Sequence, residues 1–572
     1  MSTLTVVPVR AQFRPGEPVG VAITATGEPR ANVRVSVTVS AGAPTVATSQ
    51  HATVACDIAL DDQGHGRCVE HVDLGQLDLP PRGSTGFSVR ATSADAVATT
   101  SFDVAEHWSH APRYGFFADF GPEETLEDTS RRADDMLALH LNVVQFYDWM
   151  YSHHTLVPPT DEFVDPLGRL LSMDIVRRKV DAAHERGMAA IGYGALYGAE
   201  AEFANEHADL LLYDGGRRAI QLADIFYLQD IRNVSAWRRW ILDQFRDAVE
   251  RVGFDGIHID QYGYPKRSLS RAAGHWEEVD LGAEFMGFVQ QACAELAEAA
   301  PHGGSIFNLV NAWPLDRLGE LSADAATYIE VWDPHSTYRD LYELITAARR
   351  LRPDKRVILS AYLRAFHPGD GRRPGAMNAF RLAQAAIGAS GGFHLIAGEG
   401  SALLTEAYYP SYGRLSASEA DVVRRYADFA VRNTAALHAH APDVAWTQVG
   451  ATNDVVLLEH EALAGPQMGL IDTGERYGAG ARLNSVWCVQ RDQGAVSSLS
   501  LVNLLGLATD HWNSAQPDAP TPLHDITVRA VVTGDVTGVW WDTPDDTLGV
   551  ARELPYTVTD DGSRHYVEFT IP

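Results

Sequence analysis

Apolar and polar residues change rhythm twice along this chain. Up to about residue 107 they alternate one by one. "VGVAITATG" (19–27), "NVRVSVTVS" (32–40) and "TGFSVRATS" (85–93) place every second side chain on one face, with Gly and Pro between the runs. Such alternation predicts half-buried strands, and a series of short ones predicts an immunoglobulin-like β-sandwich over residues 1–107. From Trp108 to about 440, short apolar runs alternate with amphipathic stretches of helical period. "NVVQFYDW", "AAIGYGALY", "GIHIDQYG", "SIFNLVNAW", "TYIEVWD", "RVILSAYL" and "GGFHLIAGE" read as strands. "MDIVRRKVDAAHERG", "AWRRWILDQFRDAVERVG" and "EFMGFVQQACAELAEAA" read as helices. This alternation predicts a (β/α)8 TIM barrel over residues 108–440. The doubly wound alternative lacks a G-x-G-x-x-G after its first strand. Beyond 441 the helical period fades. "DVVLLEHEAL", "SVWCVQRD", "SSLSLVNLLG", "DITVRAVVTG" and "HYVEFTIP" predict a second β-sandwich over 441–572.

Composition narrows the partners more than the fold. The 572 residues exceed one hydrophobic core. A net charge of −29 argues against a nucleic-acid backbone or an anionic membrane as the main partner and leaves neutral ligands such as carbohydrates. No apolar run approaches the ~18–20 residues of a membrane span. The opening "MSTLTVVPVRAQFRPGEPVG" lacks the basic start and apolar core of a secretory leader, so a cytoplasmic protein is expected. Cys56, Cys68, Cys293 and Cys488 show no metal-ligand spacing and read as unpaired thiols, with Cys56 and Cys68 able to bridge in an oxidising compartment. His153 and His154 are half of a metal motif without H-E-x-x-H or a third ligand. With no P-loop and no G-x-S-x-G, neither a cofactor nor a catalytic metal is expected, while acidic loops such as "TPDDT" leave a structural calcium open.

Barrel active sites lie at the C-terminal ends of the strands. In "GIHID" (256–260), alternation turns Gly256, His258 and Asp260 to the barrel axis, and Ile257 and Ile259 to the helices. In "TYIEVWD" (327–333), Tyr328, Glu330 and Trp332 share the inward face. A purely structural strand would not turn its polar side inward. Two carboxylates among aromatics are the equipment of glycoside hydrolysis, with Asp260 to attack and Glu330, held protonated beside Trp332, to donate. A carboxylate at a strand end also serves as a helix cap or ion-pair partner, and the pattern alone leaves that open. Asp255 falls on the opposite face and reads as structural. In "QFYDWMYSHH" (145–154), Tyr147, Trp149 and Tyr151 offer rings for sugars and Asp148 a carboxylate for their hydroxyls, or else the rings form an aromatic plug at the barrel top.

These blocks carry a family likeness. "RYGFFADF" (113–120), "QFYDWMYSHH", "GFDGIHIDQYG" (253–263), "NLVNAW" (308–313), "YIEVWD" (328–333), "ASGGFHLIAGE" (389–399) and "SLVNLLG" (500–506) follow one another as in glycoside hydrolase family 66, the dextranases and cycloisomaltooligosaccharide glucanotransferases, which this chain resembles over about residues 112–510. The resemblance implies a barrel between two β-sandwiches and retaining cleavage of α-1,6-linked glucan. Asp260 matches the nucleophile, Glu330 the acid/base and Asp148 an aspartate needed for activity. His258, Tyr262, Asn311, Trp332, Asp333, His394 and Glu399 fall in blocks that line the family's cleft and stand as binding candidates beside Tyr147, Trp149 and Tyr151. Where the family tends to read Gly-Trp-Gln-Gly-Asp, this chain has Gly256, Ile257, His258, Ile259 and Asp260. Its surroundings at the reacting sugar therefore differ. No room exists between the last barrel blocks for the inserted carbohydrate-binding module of the cyclising enzymes. Hydrolysis of soluble isomalto- or cyclic oligosaccharides is expected. A cyclising or disproportionating glucanotransferase and a non-catalytic carbohydrate-binding protein are the alternatives.

Overall fold

The computed structural model describes residues 2–41, 51–75, 77, 79, 82–222, 225–369, 371, 373–438, 456–463, 477–478, 480–493, 496–532, 534–560, 562 and 565–572. The expected boundary at 440/441 lies outside the described residues.

Eight parallel strands form the central sheet. They are β1 (Tyr114–Phe117), β2 (Val143–Phe146), β3 (Ala189–Ala195), β4 (Gly256–Asp260), β5 (Ile306–Val310), β6 (Thr327–Glu330), β7 (Val357–Ser360) and β8 (Phe393–Leu395), hydrogen-bonded in sequence order. The sheet curls shut just past β8, where the Glu399 N–H donates to the carbonyl of Phe116 in β1 at 3.1 Å. The helices α1 (Leu126–Ala138), α2 (Met173–Glu185), α3 (Ala236–Val252), α4 (Leu281–Ala299), α5 (Tyr338–Leu351), α6 (Ala376–Ala389) and α7 (Ala417–Arg432) follow β1, β2, β3, β4, β6, β7 and β8. The link from β5 to β6 departs from the expected pattern. A short 3₁₀-helix, Leu315–Glu320, replaces the full helix there.

Alternation along the strands behaves as the sequence implies. Ile257 and Ile259 are fully buried in the barrel core beneath the helices. His258 faces the interior, where its Nδ1 and the Tyr114 hydroxyl are 3.0 Å apart. Asp255, on the other face, accepts from the Ala190 N–H at 2.7 Å and pairs with His184 at 2.8 Å, a structural position.

Mostly antiparallel sheets flank the barrel. On the N-terminal side, Thr3–Pro8, Val19–Thr26 and His65–Val72 form one sheet. His51–Ala59, Asn32–Ala41, Ser84–Thr92 and Val97–Ala105 form the other. Val21, Ile23, Val35, Val37 and the stacked pair Phe87–Phe102 fill the space between them. On the C-terminal side lie a four-stranded sheet containing Ile526–Val532 and His565–Ile571 and a three-stranded one containing Val486–Asp492 and Ser497–Asn503.

Helix α7 joins all three parts. Strand Ser84–Thr92 approaches its end so closely that a Cβ on Gly86 would lie 2.1 Å from the Val431 carbonyl oxygen, so only glycine fits. Asp428 accepts from Thr100 and from His140, and Arg432 pairs with both oxygens of Asp542 in the C-terminal part.

Candidate active site

A cleft of about 420 Å³ opens at the C-terminal ends of the barrel strands. Two carboxylates stand in it. Asp260 is the last residue of β4, and Glu330 the last of β6, so each side chain leaves its strand at the mouth. Between them runs β5, which contributes Asn308. Its single amide nitrogen donates to Asp260 Oδ1 at 2.7 Å and to Glu330 Oε2 at 3.0 Å. The two oxygens therefore cannot be further apart than those two distances end to end. The outer oxygen of each carboxylate meets a tyrosine. The Tyr193 hydroxyl donates to Asp260 Oδ2 at 2.8 Å, and the Tyr362 hydroxyl to Glu330 Oε1 at 2.7 Å.

Burial, reinforced by the negative charge of Glu330, pushes Asp260 up to about 7, against hydrogen bonds from Tyr193, Asn308 and the Gln261 backbone that favour its ionised form. Two carboxylates this close interact, so a proton held on Asp260 is a property of the pair rather than of one residue. The sequence argument placed the raised carboxyl at Glu330 through Trp332. In the structure Trp332 lies past the end of β6, 41% exposed at the rim, with its ring against Tyr362. The Glu330 oxygens are engaged instead by Tyr362 and Asn308.

Several candidates do reach the cleft. Asp148 sits just past β2 in the left-handed region, φ +46°, and Arg169 holds its carbonyl at 2.9 Å. Burial pushes its carboxyl up to about 6, opposed by the charges of Arg169 and His153. Tyr147 also lines the cleft and stacks on Tyr409 with ring centres 4.3 Å apart. Tyr262 lines it with a buried hydroxyl that has no partner among the described residues. His258 forms the floor, and burial lowers its pKa to about 3, so it is uncharged around neutrality.

Other candidates lie elsewhere. Trp149 is fully buried, donates to the Tyr193 carbonyl at 3.1 Å and packs edge-on against Phe254, so it has no free face for a sugar. Tyr151 is exposed outside the cleft, against Phe163. Asn311 turns back to donate to the Asp333 carbonyl at 2.9 Å, and neither residue lines the cleft. His394 accepts from Gln384 and donates to the Ala361 carbonyl, both at 2.9 Å. It lines a different space, of about 1780 Å³, between α6, α7 and the C-terminal sheets, which contains neither carboxylate.

Glu399 is the clearest correction. It is fully buried and accepts from the N–H groups of Ala118 and Asp119, from Arg132 at 2.8 Å and from Lys179 at 2.7 Å. It ties the end of β1 to α1 and α2 where the barrel closes. His153 and His154 both turn Nδ1 to Glu200, at 2.7 and 2.6 Å. Among the described residues the group with metal-binding proximity is Cys56, Cys68 and Glu70, in the N-terminal sandwich.

Asn308, Tyr193, Tyr362 and Tyr409 also line the cleft, beyond the residues expected from the sequence. Two of them carried a signal. Tyr193 lies in register with His258 on the neighbouring strand. Tyr362 stands two residues past Ser360, as Trp332 stands two past Glu330.

The family model for glycosyl hydrolase family 66 matches residues 9–572. A cycloisomaltooligosaccharide glucanotransferase from Niallia circulans is 23% identical over 86% of the chain, and a dextranase from Streptococcus salivarius 22% identical over 86%. The chain spans 64% and 66% of their respective lengths. A Paenibacillus sp. cycloisomaltooligosaccharide glucanotransferase, solved with cycloisomaltoheptaose, superposes with a TM-score of 0.85 at 18% identity, covering 100% of this chain and 99% of that one.

Proposed function

The chain belongs to glycosyl hydrolase family 66, and from that premise we propose that it cleaves α-1,6-glucosidic bonds in isomalto- or dextran-type chains with retention of configuration. The observation that carries this reading is the Asn308 bridge. The two spans it sets, 2.7 and 3.0 Å, hold the inner carboxylate oxygens on one nitrogen, which favours a close pair over the ~6.5–9.5 Å pair of an inverting enzyme that must admit a water between its carboxyls. Separations of ~5–5.5 Å suit direct attack on the sugar.

In this mechanism Glu330 carries the pair's proton when substrate is bound and passes it to the departing glycosidic oxygen. Asp260, then ionised, attacks C1 and forms a β-linked glycosyl-enzyme. Glu330, now a base, takes a proton from water as that water attacks C1, and the α configuration returns. Tyr193, which donates to Asp260 Oδ2, stabilises the carboxylate when it leaves C1. Asp148 holds hydroxyls of the reacting sugar, and Tyr147 and Trp332 offer ring faces to the chain on either side.

Asp260→Ala and Glu330→Ala test the assignment on α-1,6-linked glucan. Each is expected to lose at least a thousandfold in kcat, and wild-type rates in either would overturn it. Proton NMR of the first-formed reducing ends tests retention, because the α-anomer must appear before mutarotation. The same reaction followed on isomaltooligosaccharides gives the share of transfer. Early products longer than the substrate, or rings, as the main species would make the enzyme a glucanotransferase.

A further inference from the structure

We propose that Asn308 is a positioning residue that keeps the proton of the Asp260–Glu330 pair on its outer oxygens, where it can reach a leaving group. The proposal rests on reading those two carboxylates as the reacting pair.

Asn308 is buried on β5, between the strands that carry the carboxylates. An amide nitrogen has two hydrogens, and Asn308 directs one to each inner oxygen, at 2.7 and 3.0 Å. Its own Oδ1 is buried without a partner among the described residues, so there the carboxylates alone orient the amide. An amide N–H can only donate. An inner oxygen facing it has no place for a proton, since two hydrogens would then point at each other. The outer oxygens differ. Each meets a tyrosine hydroxyl, Tyr193 at Asp260 and Tyr362 at Glu330. A hydroxyl accepts as readily as it donates, so either outer oxygen can hold the proton.

Without the amide, the inner oxygens lose a donor that favours their ionised form, one pKa rises further, and an inner oxygen is free to take the proton. Such a proton faces the partner carboxyl rather than the substrate. The amide occupies that position. It leaves the two carboxyls in matched surroundings, each with a tyrosine outside and half of a shared donor inside. Glu330 can then lose the proton in one half-reaction and regain it in the next without rearrangement of its neighbours.

Other titratable groups facing the pair stay fixed across the working range. Burial raises Tyr193, Tyr262, Tyr328, Tyr362 and Tyr409 above the ordinary phenol range and lowers His258 to about 3. Asp148, pushed up to about 6, is the further group that titrates nearby.

The test is the pH profile of kcat/KM for Asn308→Ala, with Asn308→Ser and Asp148→Asn beside it. In Asn308→Ala the alkaline limb is expected to move up by one pH unit or more, with kcat reduced at least tenfold and KM within about threefold of wild type. Asn308→Ser, with one donor, is expected to move the limb about half as far, and it replaces the alanine variant if thermal melts show that protein unfolded. The limb should stay in place in Asp148→Asn. An unmoved limb in both Asn308 variants, or a raised KM at unchanged kcat, overturns the proposal. If the reading of the pair itself is wrong, Asp260→Ala keeps activity instead.

Discussion

Replacing Asp260 with asparagine should cost the enzyme its activity and stabilise its fold, by an amount that depends on pH. The carboxyl ends β4 half-buried beside a second carboxylate, and its pKa rises from 3.8 to about 7. A group whose folded pKa is raised contributes stability that is complete below the unfolded value and lost as pH climbs through the folded one. The penalty for holding Asp260 therefore grows between about pH 4 and pH 7 and is constant above. At 1.36 kcal/mol per unit, a shift from 3.8 to about 7 amounts to about 4 kcal/mol. Asp260 retains contact with solvent, which screens its charge and reduces the figure to roughly 2 kcal/mol. Asparagine is nearly isosteric and keeps both neighbours. Its carbonyl accepts from Asn308, and its amide donates to the Tyr193 hydroxyl. The assay is thermal unfolding of wild type and Asp260→Asn at pH 5 and pH 8. At roughly 2 °C per kcal/mol for a large domain, the variant should melt about 4 °C higher at pH 8, with a smaller gain at pH 5. Equal gains at both pH values, or no gain at pH 8, would show that the buried charge is not what burdens this site.

Three further outcomes follow from the same structure. Glu399→Ala leaves Arg132 and the fully buried Lys179 without their shared carboxylate, so it should destabilise the barrel by about 3–5 kcal/mol, read as a lowered Tm; a raised KM at unchanged Tm would restore Glu399 as a binding residue. Trp332→Ala removes a ring at the rim and should raise KM roughly two- to tenfold with kcat nearly unchanged, the equivalent of about 0.5–1.5 kcal/mol of stacking; a fall in kcat alone would contradict a rim role. Cys56 and Cys68 place their sulfurs 2.8 Å apart on edge strands of opposite sheets, so oxidised glutathione should remove two titratable thiols and stabilise the N-terminal sandwich by about 3 kcal/mol. That reaction should be slow at neutral pH, because burial and its neighbour hold the Cys68 thiol up at about 12. Four thiols still titrating after prolonged exposure would refute the pairing.

Period-two alternation was enough to turn His258 and Asp260 inward and Ile257 and Ile259 outward, because the pleat of a strand is a local property of the backbone. The strand–helix rhythm was enough for the barrel, because each strand must bury one face under a helix and the other in the axis. The rhythm did not reveal the missing helix between β5 and β6. "PLDRLGELS" (314–322) has turn residues and leucines that suit a 3₁₀-helix as well as a longer one. Nearness in the chain to a strand end was a poor guide to the cleft. Trp149, one residue past Asp148, points into the core, and Glu399, in a block that resembles a cleft wall, closes the barrel instead. Past a strand end the chain can turn in any direction, and what it meets there, not its own pattern, sets where a side chain lies. The placing of the two carboxylates at the inward ends of their strands is thus written in the sequence. That Asn308 stands between them, and that Asp260 has a raised pKa, came from three neighbouring strands, far apart in the chain, pairing in register. Distances between strands and the depth of burial exist only once the barrel has closed.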